Sequence, residues 1–455
     1  MPSYNYPNTS PNDDSIHLAD NIVQLDKSAS PAIDNADKAL DSELNNMDLK
    51  EPQRDGTVLS GFSVITKSMI GSGIFGMARA CSKFGIVAAV VCLLLAASIT
   101  WLSLRVLSIL ALDYRLENPT FYSVSEKLLP RLRWVLDVAL IINCLGASIV
   151  YVQTAGNLMA YAIMALFGID QNVLDQSHIA MIVQSIMVLS LAPLCMMRTI
   201  SATQIPNLLG LSCLLYIVIM TFFYTPMGGV YPLYPGNGAM VALGSFPTFI
   251  FAFACQQNMF PVANELKNAN LTRLNTVAAS STITGFIVYL PMMIIPVLSF
   301  GMSIESNYLF NMVNADGTID TPVLVAFVLA SISVSISYVL QVHPVRRSII
   351  SLVYGSEQLV GKKEKTVRVA VVSLILVISF ALAVGLGKNL NIPINIAGLL
   401  GGNTMCFVMP FGLYLAKYGM LTNALSKLIF GLLVFCIALY PICMTGIISD
   451  AIATI

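Results

Sequence analysis

Eleven times along this sequence the chain runs apolar for about 20 residues or more. The stretches are roughly 57–80, 85–111, 134–167, 178–197, 205–225, 239–262, 274–299, 321–351, 367–388, 391–416 and 424–448. A helix rising about 1.5 Å per residue crosses a hydrocarbon layer about 30 Å thick in a run of that length. Barrel strands alternate apolar and polar residues, and these runs do not. Of the 455 residues 56% are apolar and 11% are charged, where a soluble domain carries about 25% charged. Too few polar residues remain to cover a soluble core of that size. The fold expected is an all-α integral membrane protein with eleven transmembrane helices. A soluble enzyme, a nucleic-acid binder and a disordered chain are excluded.

The formal net charge of zero conceals a split. Residues 1–56 hold 4 Lys and Arg against 11 Asp and Glu, and the remainder holds 20 against 13, so −7 is balanced by +7. The first 56 residues therefore read as an acidic, solvated and disordered tail. They lack a basic start followed by an apolar run, so they are not a signal peptide. Counting loops outward from that tail puts fifteen Lys and Arg on its side of the membrane and three (Arg79, Lys83, Lys388) on the other. Basic loops stay in the cytosol. The N-terminus is expected inside and Ile455 outside, in a plasma membrane or a vacuolar or lysosomal membrane.

The nine cysteines all lie in or beside apolar runs, with neither disulfide nor metal spacing. No cofactor and no metal are expected. The sequons at Asn8 and Asn270 fall on the cytosolic side and are expected to stay unmodified. An intramembrane enzyme needs paired acids, a Ser/His dyad or clustered His. The single acid within the spans is Asp137, near an inner end, and no His lies at mid-membrane. A channel would show a repeated pore loop or a charged ring, and neither is present.

Two spans are interrupted. The first contains Gly71-Ser72-Gly73-Ile74-Phe75-Gly76, three glycines within six residues at membrane depth, where helix is weakened. The sixth has Pro247 and Pro261 near its ends and the polar run Gln256-Gln257-Asn258 between them. Backbone freed inside a bilayer needs polar partners, since lipid offers none. Interrupted helices at matching places in two five-helix halves point to an inverted-repeat transporter, with an eleventh, peripheral helix.

These residues resemble the amino acid/auxin permease family, whose branches include sodium-coupled neutral, proton-coupled and vacuolar amino acid transporters. Gly71 to Gly76 is similar to its Gly-x-Gly-Ile-Leu-Gly element. Phe251-Ala252-Phe253-Ala254-Cys255 with Glu265-Leu266 is similar to its Phe-x-Phe-x-Cys and Glu-Leu pair. Pro344-Val345-Arg346-Arg347 and the glycine-rich stretch from Gly398 to Pro410 follow in the family's order. Met77-Ala78 stands where Leu-Pro is usual, and Pro247 where Gly is common. The resemblance implies a LeuT-like 5+5 inverted repeat plus one extra helix, and a substrate held where the first and sixth helices unwind. Half-helix N-termini suit a carboxylate, and freed carbonyls suit an ammonium group. The residues expected to bind an amino acid are Gly71, Ser72, Gly73 and Ile74 with Phe253, Ala254, Cys255 and Gln256.

Lys67 lies one turn before Gly71, inside the first span, where a lysine is costly and usually functional; the alternative is a side chain that snorkels to the cytosolic face. In LeuT-like transporters a sodium ion sits between the first and eighth helices, and an ammonium there supplies the charge itself. Proton-coupled members of the family resemble this chain in carrying Lys. Ser331, Ser333, Ser335 and Ser337 of the eighth span form two i,i+4 pairs on different faces, and Ser335 and Ser337 resemble the family's hydroxyl positions. Lys67, Ser335 and Ser337 are the expected ion-coupling residues. Glu265 with Arg346 and Arg347 is the expected cytosolic gate; the alternative is lipid-headgroup contact by the two arginines. Asn143, Tyr151 and Gln153 are cavity-lining candidates, with core packing the commoner role for each. The function implied is secondary active transport of neutral amino acids, with a proton, or alternatively sodium, as coupling ion. A transporter-like sensor with little flux has the same sequence features.

Overall fold

In a computed structural model, residues 54–71, 73–115, 118–169, 175–197, 204–225, 238–314, 318–355 and 362–454 are described. The acidic tail up to residue 53 and the expected binding residue Ser72 lie outside them. The first apolar run forms two helices, α1 (Val58–Met69) and α2 (Gly73–Phe84), which meet at a bend of 54°. There follow α3 (Ile86–Asp113), a short α4 (Phe121–Leu128), α5 (Arg133–Phe167), α6 (Gln176–Cys195) and α7 (Gln204–Tyr224). The sixth run is in pieces: α8 (Ala239–Leu243), α9 (Phe246–Ala252), a 3₁₀ turn at Gln256–Asn258 and α10 (Met259–Glu265). Long helices α11 (Leu271–Phe300), α12 (Thr321–Tyr354) and α13 (Lys362–Leu386) come next. The tenth run is α14 (Asn391–Ile396), two π-helical stretches at Ala397–Gly402 and Thr404–Val408, and α15 (Met409–Tyr418). The chain closes on α16 (Ala424–Thr454).

Among the described residues nine helices are long and apolar enough to cross a bilayer, and ten if the bent α1–α2 pair counts as one span. All eleven expected runs are helical. The difference in count is α7, whose apolar part, Leu209–Tyr224, is shorter than the rest.

Helix starts follow local chemistry. Thr57 Oγ1 accepts the Ser60 N–H at 3.1 Å to begin α1. Asn270 Oδ1 accepts the Arg273 N–H at 2.9 Å to begin α11, so that sequon side chain is engaged as a cap. The 35-residue α5 runs through the middle of the bundle, against α6, α12, α13 and the first π-helical stretch. The halves of the first span pack on α11, and α2 also packs on α9. The two broken spans therefore lie against each other.

Both ends of these spans are tied. Gly56 N–H donates to Glu265 O at 3.0 Å, and Lys267 N–H donates to Gly56 O at 2.9 Å. This joins the chain before α1 to the chain after α10. At the opposite end Lys83 of α2 pairs with Asp450 of α16 at 2.5 Å. Near it the backbones of Gly244 and Gly446 touch, with no room for a side chain at either. The last helix presents much of its surface outward, yet it is tied to α2 through Lys83 and to the end of α8 at Gly244.

Candidate substrate and coupling site

At the first break Ile70 N–H still reaches Thr66 O at 2.8 Å, and the helical ladder then lapses over Gly71. At the second, Phe253 and Ala254 N–H groups tighten onto Ile250 and Phe251 carbonyls, both at 3.2 Å. The two lapses face one hydroxyl. Tyr289 Oη of α11 lies 2.6 Å from Met69 O and 2.8 Å from Ala252 O, the last helical carbonyls of α1 and α9. A phenol has a single hydrogen for those two acceptors, which leaves carbonyl capacity at the junction. Ser68 Oγ ties the pieces further, accepting from Asn258 Nδ2 at 2.7 Å and Gln257 Nε2 at 3.3 Å. Tyr289→Phe strips the phenol donor from both carbonyls and leaves Met69 O only the Gly71 N–H at 3.0 Å. An unsatisfied buried group costs about 1–3 kcal/mol, so the variant is expected to melt several degrees lower and to transport slowly. A melting curve and uptake rate equal to wild type would show that the hydroxyl holds nothing.

A narrow pocket lies between the breaks. Its lining includes Gly71 and Gly73 from the first and Phe251 and Ala254 from the second. Asn143 and Tyr151 of α5 and Gln341 of α12 complete its polar side. Free space for water is about 10 Å³, room for about one molecule, so an amino acid enters only as the helices move.

The structure brings Gly71, Gly73 and Ala254 to this pocket. Ile74 is fully buried in the core. Phe253 packs edge-on against Tyr289, ring centroids 5.3 Å apart. The Cys255 N–H, expected to face substrate, is instead taken by Gln256 Oε1 at 2.9 Å, so neither residue offers that group to a ligand here. Gly73 has a second role: an added Cβ would lie 2.9 Å from Ala252 Cα. Gln153 donates to Gly387 O and Asn389 O at 3.2 and 3.3 Å, beyond α13, and does not line the pocket. Sequence reading missed Tyr289 and Gln341. Their one signal was a polar group inside an apolar span.

Lys67 does not snorkel. It is 3% exposed, and its Nζ donates to Ser333 Oγ of α12 at 3.2 Å. Ser333 Oγ in turn donates to Gly210 O of α7 at 3.0 Å. The missing side chain of Gly210 makes the space, since a Cβ there would stand 2.9 Å from Nζ. Cys213 of α7 is the titratable group facing the ammonium. Among the described residues no carboxylate pairs with it. The serine beside Lys67 is thus Ser333, not the expected Ser335 or Ser337. Those two bond their own helix, to Ser331 O at 2.7 Å and Ser333 O at 3.0 Å.

The expected gate pair is not made in this structure. Among the described residues Glu265 has no ion pair with Arg346 or Arg347. Arg346 Nη1 donates to Met197 O at 2.9 Å and Cys195 O at 3.5 Å, closing the carbonyl end of α6. Arg347 is exposed. His343, beside them, is buried.

The first and sixth apolar runs break beside one pocket, the arrangement of inverted-repeat transporters, and comparison with known proteins agrees. The model of the transmembrane amino acid transporter protein family matches residues 54–453. The chain belongs to that family: it is a multi-pass amino acid transporter and not an enzyme. It is 25% identical over 358 residues to vacuolar amino acid transporter 5 of Schizosaccharomyces pombe, covering 77% of this chain and 82% of that one. Vacuolar amino acid transporter 6 of Saccharomyces cerevisiae is 24% identical over 64% of this chain and 66% of its own. The crystal structure of MhsT in complex with L-phenylalanine shares the LeuT-like fold, with TM-score 0.58 and 13% identity over 85% of this chain and 98% of that one.

Proposed function

We propose that this protein is a proton-coupled secondary transporter of neutral amino acids, working by alternating access around the two breaks. The carboxylate is bound at the start of α2, where the helix N-terminus carries partial positive charge. The α-ammonium is bound by the carbonyls that Tyr289 shares. Among the described residues no acidic or basic side chain lines the pocket, which supports neutral substrates. One observation carries the coupling: the buried Lys67 ammonium stands between α1, α7 and α12 with Ser333 as its partner, so a positive charge already occupies the place between the first and eighth spans.

Residues 57–455 form the transporter domain in this reading, and 1–56 a cytosolic tail. The vacuolar membrane is the proposed location, because relatives covering most of the chain carry that name. A second reading, sodium coupling, draws support from sodium-coupled neutral amino acid transporter 4 of Homo sapiens, 29% identical over 111 residues, 24% of this chain.

Counterflow in proteoliposomes with a panel of amino acids tests the substrate class. Alanine, serine and glutamine are expected to exceed arginine and glutamate by roughly tenfold or more. A clear preference for arginine or glutamate would overturn neutral selectivity.

A further inference from the structure

The pocket has a polar end that binding of the α-carboxylate and α-ammonium does not use. Asn143 of α5 lines the pocket and is 2% exposed. Its Oδ1 has no hydrogen-bond partner among the described residues. Buried amide oxygens are nearly always paired, so an unpaired one beside a cavity marks the place where a donor arrives.

The surroundings hold that oxygen in position. A Cβ on Gly401 would collide with the Asn143 backbone N, and one on Gly402 would lie 3.4 Å from Asn143 Oδ1. Both glycines belong to the π-helical stretch Ala397–Gly402, and such wide turns gather at functional sites. Any side chain at Gly401 would drive α5 away from this wall. The neighbouring lining from Ala147 and Phe251 is apolar. Gln341 adds a second amide to the same pocket.

We infer that Asn143 determines specificity, accepting a hydrogen bond from the side chain of the bound amino acid. Among neutral amino acids, those with a side-chain amide or hydroxyl donor are then preferred over apolar ones of the same size. This rests on the reading of the breaks as the site of the α-carboxylate and α-ammonium. A site built to hydrogen-bond a side chain rejects the apolar isostere strongly, because the isostere leaves its buried acceptor unpaired.

Near-isosteric pairs test it in proteoliposomes of the full chain: threonine against valine, and asparagine against leucine, as competitors of labelled substrate. In wild type the donor-bearing member is expected to compete roughly tenfold better or more. Asn143→Leu is expected to bring both ratios to within about twofold, since no acceptor is then left unpaired. A wild type that treats each pair alike overturns the inference without any variant. So does an Asn143→Leu protein that keeps the ratios. N-acetylated and decarboxylated asparagine separate the two readings. If they compete as well as asparagine, binding at the breaks fails, while the pair ratios still judge Asn143.

Discussion

Lys67→Ala is expected to abolish pH-driven accumulation while amino acid exchange remains measurable. The proposed binding of the amino acid is through backbone at the two breaks, and Lys67 lies against Ser333 and Gly210 rather than in the pocket. Under the proposed coupling, removing the ammonium takes away the group that carries the proton and leaves the breaks in place. A gradient of one pH unit supplies about 1.4 kcal/mol per coupled proton, an accumulation of about tenfold. Wild type should approach that ratio with the acidic solution on the loading side. The variant should stay near equality inside and out. Accumulation surviving in Lys67→Ala would show that the lysine only fills space between α1, α7 and α12.

The second large effect is expected at Gly73. Gly73→Val should eliminate transport and also lower the melting temperature of the purified protein. The first loss follows from blocked approach of the carboxylate to the break. The structure adds the second loss, because the new Cβ would press on Ala252 Cα at 2.9 Å and Ala252 Cβ at 3.0 Å. Overpacking of this kind costs about 1–3 kcal/mol, and here a backbone must yield rather than a flexible side chain. Gly73→Ala should fall between the two. Normal uptake by Gly73→Val would mean that the substrate is bound elsewhere.

The helices were legible because the bilayer sets their length: each apolar run had to span the same thickness. The first break was legible because three glycines sit within six residues. The second was fainter, since its polar run Gln256-Gln257-Asn258 has no central glycine. Partner choice was not legible. Serines spaced at i,i+2 along α12 alternate between faces, and nothing in the sequence fixes which face meets α1. Ser333 therefore took the place expected for Ser335 and Ser337. The expected gate pair is not formed in this structure for a related reason: opposite charge near one end of the bundle does not imply contact, and Arg346 satisfies the open carbonyls of α6 instead. Tyr289 was hidden because a tyrosine in an apolar span is unremarkable until two freed carbonyls point at it.

A lysine-held coupling site is tested most directly by ion replacement. Two like charges about 4 Å apart repel by about 4 kcal/mol at an effective dielectric constant of about 20, so sodium should bind poorly beside the Lys67 ammonium. The measurement is initial uptake of a neutral amino acid by wild-type proteoliposomes, acidic on the loading side, in sodium and then in choline. The predicted result is the same rate in both, rising with the pH gradient. Uptake that collapses in choline, ignores the gradient and survives Lys67→Ala would contradict proton coupling through Lys67.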